Sequence, residues 1–369
     1  MEEKWTEQAW QEVTAKIMRI SHTIGAGFPN GSVCGRYQLA AAHDWIAGFW
    51  PGILWLVYEE TEEDRLKELA VQCESQISRT LWDSFGLLHH DVGFMFELSS
   101  VRQYEQLKEE EAREHGLMAA SLLAGRFNPA GGFIRAWPNW GGEDHTGWAI
   151  IDCMMNLPLL YWASGELADP RFRHIAELHA DTVLREFIQA DGSVHHIVCF
   201  DPVTGERLEA LAGQGYAADS AWSRGAAWAL YGFALSYRYT GRDRYLEAAR
   251  KVAAFFLENL PEDKVPYWDF RLPEHELGRM PRDSSAAAIA AVGLLELAEV
   301  MHPADGREYT LAAEAILRSL YENYGAWGTE EEGLLLHATG YYDREIYVDR
   351  PLIFGDYYFV EALKRLKNL

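Results

Sequence analysis

Two stretches decide the fold of this chain: Trp148-Ala-Ile-Ile-Asp-Cys-Met-Met-Asn-Leu-Pro-Leu-Leu160 and Ser284-Ser-Ala-Ala-Ala-Ile-Ala-Ala-Val-Gly-Leu-Leu295. Both are apolar on nearly every side, as a helix is when other helices enclose it. The first contains Asp152 and the second follows Asp283. Asp44, Asp91, Asp219 and Asp356 stand at or near the start of comparable runs. The six aspartates recur at roughly 47 to 73 residues, which reads as six copies of one helical hairpin whose inner helices these runs form. Between them lie amphipathic segments. Leu66, Leu69, Ala70, Cys73 and Ile77 keep one helix face while Glu62, Glu63, Arg65, Lys67 and Glu68 fill the other. Phe172, Ile175, Ala176, Leu178, Val183 and Phe187 repeat the pattern, as do Tyr245, Leu246, Ala249, Val252, Ala253 and Phe256. Outer helices are expected near 5–22, 62–81, 106–125, 170–189, 242–259 and 307–323, each followed by an inner one. Twelve helices so paired predict an all-α (α/α)6 barrel. No Ser-, Gly- or Pro-rich linker divides the chain, so 1–369 is expected to be a single catalytic domain.

Composition narrows the partners. Lys+Arg 33 against Asp+Glu 56 gives a formal net charge of -23, which opposes nucleic-acid phosphate and anionic lipid alike. Neither nucleic acid nor membrane is an expected partner. The opening Met-Glu-Glu-Lys-Trp-Thr-Glu lacks the apolar core of a secretion signal. The longest apolar stretch, Trp45 to Tyr58, is broken by Pro51 and is shorter than the roughly 20 residues a bilayer requires. Cys34, Cys73, Cys153 and Cys199 show no Cys-x-x-Cys spacing, which suits a reducing compartment and offers no zinc site. A cytoplasmic protein is expected.

Tryptophan is abundant, at 14 residues, and several lie in polar settings: Trp45 beside Asp44, Trp137 and Trp140 among glycines and Pro138, Trp222 and Trp228 flanking Arg224. Any one of them reads first as a core residue. As a set in loops before inner helices they favour a carbohydrate groove, since a flat ring with one donor suits the apolar face of a sugar. Among the carboxylates, Asp152 is the hardest to explain structurally. It sits within an apolar helix, where an ionised carboxylate is disfavoured unless paired, and an acid that keeps its proton is suited to general-acid work. The structural alternative is a buried cap on a neighbouring backbone. Asp91 reads equally as a helix N-cap or as a catalytic group, while Asp44, Asp219, Asp283 and Asp356 read as helix caps. His89 with His90, and His195 with His196, invite a metal reading. Adjacent histidines diverge, however, and no acidic ligand stands at metal-site spacing, so hydrogen bonding to substrate is expected instead. Arg224 needs an anionic partner at the mouth of its helix, either an aspartate such as Asp219 or a carboxylate on the ligand.

The sequence resembles the unsaturated glucuronyl hydrolases of glycoside hydrolase family 88 over essentially its full length. The matching stretches are Asp44-Trp-Ile-Ala-Gly-Phe-Trp-Pro-Gly-Ile-Leu-Trp-Leu56, His89-His-Asp-Val-Gly-Phe94, Ile150-Ile-Asp-Cys-Met-Met-Asn-Leu-Pro-Leu-Leu160, Trp222-Ser-Arg-Gly-Ala-Ala-Trp228, Arg282-Asp-Ser-Ser-Ala286 and Phe354-Gly-Asp-Tyr-Tyr358. The resemblance implies an (α/α)6 barrel with no metal or organic cofactor. It implies that Asp152 is the catalytic acid and base and that Asp91 helps hold the sugar and supports the chemistry. It further implies that Trp45, His90, Trp137, His196, Gln214, Trp222, Arg224 and Trp228 line the subsite for an unsaturated uronate. The implied substrates are lyase-generated di- and oligosaccharides whose terminal uronate carries a C4=C5 double bond. Asp152 would protonate C4, water would add at C5, and the hemiketal would open to release the remaining sugar. This differs from ordinary glycosidases, in which two carboxyls flank the anomeric carbon.

The chain departs from family members that accept sulfated disaccharides, which carry a serine-rich stretch ending in lysine shortly before Gly-Asp-Tyr-Tyr. Here that region is Gly340-Tyr-Tyr-Asp-Arg-Glu-Ile-Tyr347. Asp343 and Glu345 beside Arg344 would repel a sulfate, so unsulfated substrates are expected, such as hyaluronan or chondroitin disaccharides or gellan and xanthan fragments. Three rival readings share some of these features. They are an unsaturated rhamnogalacturonyl hydrolase, a sugar isomerase of the N-acylglucosamine 2-epimerase kind, and a silent glycan-binding module.

Overall fold

The computed structural model describes residues 5–369. Met1–Lys4, the start of the segment read above for a secretion signal, lie outside the described residues. Six helical hairpins follow one another, each an outer helix and then an inner one: α1 (Trp5–Ile24) with α2 (Phe49–Thr61), and α3 (Asp64–Asp83) with a rod made of α4 (Val92–Phe96), a π-helical turn (Glu97–Val101) and α5 (Arg102–Leu107). Then come α6 (Glu110–Gly125) with α7 (Leu157–Leu167), α8 (Pro170–Glu186) with α9 (Ser223–Thr240), α10 (Asp243–Glu258) with α11 (Ser284–Val300), and α12 (Pro303–Ser319) with α13 (Ile353–Lys367). The expected outer and inner alternation holds in all six pairs, and the fold is an (α/α)6 barrel.

Burial follows the sequence pattern. In α11 every residue from Ser284 to Leu297 is buried, and in α9 every residue from Ser223 to Ala234. Outer α3 buries Leu66, Leu69, Ala70, Cys73 and Ile77, while Glu63 and Glu68 stay exposed. Inner neighbours pack in order around the ring, and α13 closes it against α2. The main core is therefore a band of apolar side chains between the two rings, with a small separate cluster of Ala136, Ile150, Ile197 and Cys199 in the loops before the inner helices.

The loops before the inner helices carry antiparallel strands that helical periodicity does not signal: β1 (Phe28–Val33) with β2 (Arg36–Ala40), β3 (Phe127–Asn128) with β4 (Phe133–Ile134), the sheet β5 (Trp148–Ile150), β6 (Ile197–Phe200) and β7 (Arg207–Leu211), and β8 (Ala338–Tyr341) with β9 (Ile346–Arg350).

The six aspartates do not share one job. Asp44 caps the 3-10 turn Trp45–Gly48 through Ile46 N, and Asp283 caps α11 through Ser285 N and Ala286 N, as expected. Asp219 caps nothing: α9 has no side-chain cap. At that corner Asp269 accepts from Tyr216 N at 3.0 Å, Ala221 N at 3.2 Å and Ser220 Oγ at 2.7 Å. Asp356 is also no cap. It lies inside the first turn of α13 and accepts from the Tyr37 hydroxyl at 2.5 Å, Leu334 N at 2.7 Å and Leu335 N at 2.9 Å. An aspartate near a helix start can serve its own helix or a crossing loop, and only the tertiary path decides which. Among the described residues, no helix is long and apolar enough to cross a membrane.

Candidate active site

The N-terminal ends of the inner helices meet the loop strands in a cup, and Asp152 stands in its wall. Asp152 is not inside an apolar helix, as the sequence suggested. It lies on a 3-10 turn, Ile151–Met155, between β5 and α7, and its side chain keeps 17% of its surface exposed. The chain leaves β5 with Ile151 N donating to His196 O at 3.0 Å, and that pairing sets His196 beside Asp152. The His196 ring is oriented from behind. Gln214 N donates to its Nδ1 at 2.8 Å, so Nδ1 accepts and the network assigns the proton to Nε2. Nε2 faces Asp152 Oδ2 at 3.6 Å. Both atoms are buried without a hydrogen-bond partner among the described residues, an arrangement that leaves polar capacity for a ligand. Gly213 makes this approach possible. Its φ is +58°, and a Cβ there would lie 2.0 Å from His196 Nδ1.

Asp91 joins Asp152 through Asn156, whose Nδ2 donates to Asp91 Oδ1 and to the Asp152 carbonyl, each at 3.2 Å. Asn156 Oδ1 accepts from Phe94 N at 2.9 Å, which fixes the amide. Asp91 precedes α4 but makes no cap hydrogen bond, so its carboxyl is free for other partners. Burial pushes that carboxyl up, yet His90, His89 and the Asn156 amide outweigh the effect and hold it below the usual carboxylate range. His90 is itself pushed down to about 4 by burial, with Asp91 pulling the other way. His89 Nδ1 and His90 Nε2 stand 3.3 and 3.4 Å from Asp91 Oδ2. These histidines do not diverge as expected. The main chain turns at Asp91, and the three ligand atoms lie within 4.8 Å of one another, close enough to hold a metal ion. His195 and His196 do diverge: His195 Nδ1 turns away toward Ala218 O at 3.0 Å.

Arg224 faces the cup from α9, with its guanidinium 4.5 Å from the Trp222 ring and 5.1 Å from Phe354. The aspartate it pairs with is Asp283, at 2.6 Å, and not Asp219. Nη1 also donates to Thr339 O at 2.7 Å, and Nη2 to Gln214 Oε1 at 2.8 Å and Gly340 O at 2.7 Å. Both terminal nitrogens are thus committed to protein acceptors. Arg224 ties Gln214, α11 and β8 together and offers substrate its stacked face more than its fork.

Aromatic rings complete the wall. Trp222 lies 4.3 Å from the His196 ring, and Trp45 packs 5.2 Å from Phe354 and 5.6 Å from Phe94. Trp137 is half-buried, 6.2 Å from His90. Trp228 has no exposed surface. It supports Phe94 from behind at 5.2 Å and does not line the cup. At the rim Trp140 stacks on His145 at 4.9 Å, with the Arg344 guanidinium 5.6 Å above it. The sequence reading missed Asn156, and it expected His89 to meet substrate where the structure sets it against Asp91. Asn156 could have been found, because it stands four residues beyond Asp152 in the same apolar run, on one face of a helical turn.

The model of a family described as Glycosyl Hydrolase Family 88 matches residues 17–368. The chain is 38% identical over 367 residues to the unsaturated glucuronyl hydrolase of Bacillus sp. (strain GL1), covering 97% of each protein. Its fold is similar to the crystal structure of the Bacillus sp. GL1 enzyme, with a TM-score of 0.94 over 98% of this chain and 97% of that one. It is also 36% identical to an unsaturated chondroitin disaccharide hydrolase of Streptococcus pyogenes serotype M1, over 89% of this chain and 83% of that protein.

Proposed function

The chain belongs to glycosyl hydrolase family 88, and from that premise we propose that it hydrates the C4=C5 bond of a terminal unsaturated uronate, releasing that sugar from lyase-generated oligosaccharides. The enzyme is a glycoside hydrolase, and the whole chain acts as one catalytic domain. The observation that carries the reading is the unpartnered Oδ2 of Asp152, facing the unpartnered Nε2 of His196 inside an aromatic cup.

The chemistry follows from the alkene. An enol ether is protonated at the carbon that leaves the positive charge shared with the ring oxygen. Asp152 delivers its proton to C4, and the C4=C5 π pair forms the new C–H bond. The resulting cation at C5 and O5 is met by Asp91, which its neighbours keep ionised and which Asn156 holds in register with Asp152. The Asp152 carboxylate then takes a proton from water as the oxygen bonds to C5, and the hemiketal opens. His196, oriented by Gln214, places its Nε2–H on the Asp152 carboxylate side of the sugar. Trp45, Trp137 and Trp222 supply apolar faces, and Gln214 with Arg224 backs the uronate.

At the rim Arg344 lies over Trp140 and Tyr341 between Asp343 and Glu345, so a sulfate there meets two carboxylates as well as one cation. Unsulfated disaccharides are therefore turned over faster. Four free cysteines, three of them buried, support a reducing, cytoplasmic setting. The test is a panel of sulfated and unsulfated unsaturated disaccharides, with one carrying galacturonate on rhamnose, followed by loss of the double bond's ultraviolet absorbance. Asp152→Asn is expected to abolish that loss with the far-ultraviolet circular dichroism unchanged. Turnover by this variant would overturn the assignment.

A further inference from the structure

A second cavity of about 360 Å³ lies inside the inner ring. Leu235, Arg238 and Tyr239 stand in the last turns of α9, and Glu296 and Glu299 in the last turns of α11. The cavity therefore opens at the C-terminal ends of the inner helices, the face opposite the cup. Its mouth is wet: the side chain of Arg238 is 42% exposed. Its inner end is Phe94, whose ring also packs against Trp45 and Trp228 beneath the cup.

We infer that this cavity binds a small molecule carrying one ammonium group, with Glu97 as its counter-charge and the Tyr357 and Tyr358 hydroxyls as hydrogen-bond partners. Four glutamates and three arginines line the space, so one carboxylate is in excess. The arginines are already engaged. Arg238 pairs with Glu296 and, at 2.6 Å, with Glu299. Arg365 pairs with Glu296 at 2.8 Å and Glu361 at 2.7 Å, and Arg102 with Glu105 at 3.1 Å. Glu97 has neither an ion pair nor a hydrogen bond among the described residues. Tyr357 and Tyr358 are each only 2% exposed, and neither hydroxyl has a protein hydrogen-bond partner among the described residues. Glu97 is half-buried, and polar groups that face a cavity without protein partners leave hydrogen-bonding capacity for an occupant. Glu97 also opens the π-helical turn, a feature frequent at functional sites. The rings of Phe94, Tyr239 and Tyr358 add faces that attract a cation, and a bare metal ion would leave most of the volume unfilled.

Charge balance makes the site sensitive to pH. Burial pushes the Glu97 carboxyl up to about 8, with Arg102 pulling the other way. The other titratable groups facing the cavity are Tyr231, Tyr239, Tyr357 and Tyr358, all pushed upward by burial, and the ion-paired glutamates of α11 and α13. Below about pH 8 a bound ammonium must displace the Glu97 proton, so affinity rises with pH and levels off above that value.

The experiment is titration calorimetry on the intact protein with ethanolamine, and with ethylene glycol as its uncharged counterpart, at pH 6.5, 7.5 and 8.5. Ethanolamine is expected to bind at least ~10-fold more tightly than ethylene glycol, with affinity rising by about 10-fold per pH unit up to pH 8. E97Q is expected to weaken binding at least ~10-fold while turnover of an unsaturated disaccharide stays within about twofold of the parent, which separates this site from the cup. Absence of ethanolamine binding, equal binding of the two probes, a flat pH profile, or unchanged affinity in a folded E97Q would each overturn the inference. The comparison of probes and the pH profile need no variant.

Discussion

His196 Nδ1 accepts from Gln214 N at 2.8 Å, with Ala212 O farther off at 3.3 Å, and the glycine before that donor permits the contact. Gly213→Ala would press a methyl against Nδ1 from a backbone at φ +58°, so the ring must swing off Asp152. A shift of this kind typically removes about 10- to 100-fold of the rate, while the left-handed backbone costs about 1–2 kcal/mol. Steady-state turnover and a urea melt on the variant check both figures, and parental kcat/KM would refute the positioning role. Asp152 stood out in the sequence because a polar group amid apolar residues has few bland explanations, whereas Asp91 read equally as a helix cap and His196 was set apart from His195 only by the family resemblance; the structure brings the three together. Their environment was less legible. Arg224 paired with Asp283 instead of Asp219, because a long side chain reaches across helices to whichever carboxylate the packing presents.

The outer helices could be read from their amphipathic period and the inner ones from long apolar runs behind an aspartate, but the break of the second inner rod into α4, a π turn and α5 gave no such signal. The strands could not: β3 and β4 have two residues each and β5 three, too few for alternation to register. Yet β5 and β6 are what bring Asp152 to His196, so the site depends on the elements that the sequence hid. Asp356 shows how such loops are secured. It joins α13 to Tyr37 of β2 and to the segment before β8 through three hydrogen bonds. Asp356→Ala leaves two buried N–H groups and a phenol without an acceptor, at about 1–3 kcal/mol each. A loss on the order of 3 kcal/mol or more in urea unfolding is expected. A loss under about 0.5 kcal/mol, the range of ordinary surface changes, would show that water replaces the carboxylate.

At the scale of the whole molecule, two buried imidazoles make one part of the stability sensitive to acid. His90 and His179 are buried, and burial pushes them down to about 4 and about 3. In the unfolded chain such imidazoles take up protons near pH 6.5, so between there and pH 4 unfolding binds protons that the folded state refuses. The contribution of these two rings is full above about pH 6.5 and falls on acidification, by about 1.4 kcal/mol per pH unit for each ring, while the raised Glu97 and Asp356 carboxyls act in the opposite direction. His179 Nδ1 accepts from Ile134 N at 3.0 Å, a bond that a glutamine oxygen can replace. His179→Gln should therefore remove about 1.4 kcal/mol per pH unit from the acid-side pH dependence of the unfolding free energy, and an unchanged pH dependence would exclude His179 as a source. Closure of the ring by α13 against α2 has a further consequence for biosynthesis. A nascent chain leaving the ribosome presents Asp91 and Asp152 early, but Phe354, which backs Trp45 and Arg224, emerges only after the first five hairpins. Ring closure, when the sixth hairpin docks onto the first, is therefore expected to follow the five earlier hairpins and to bring the activity with it.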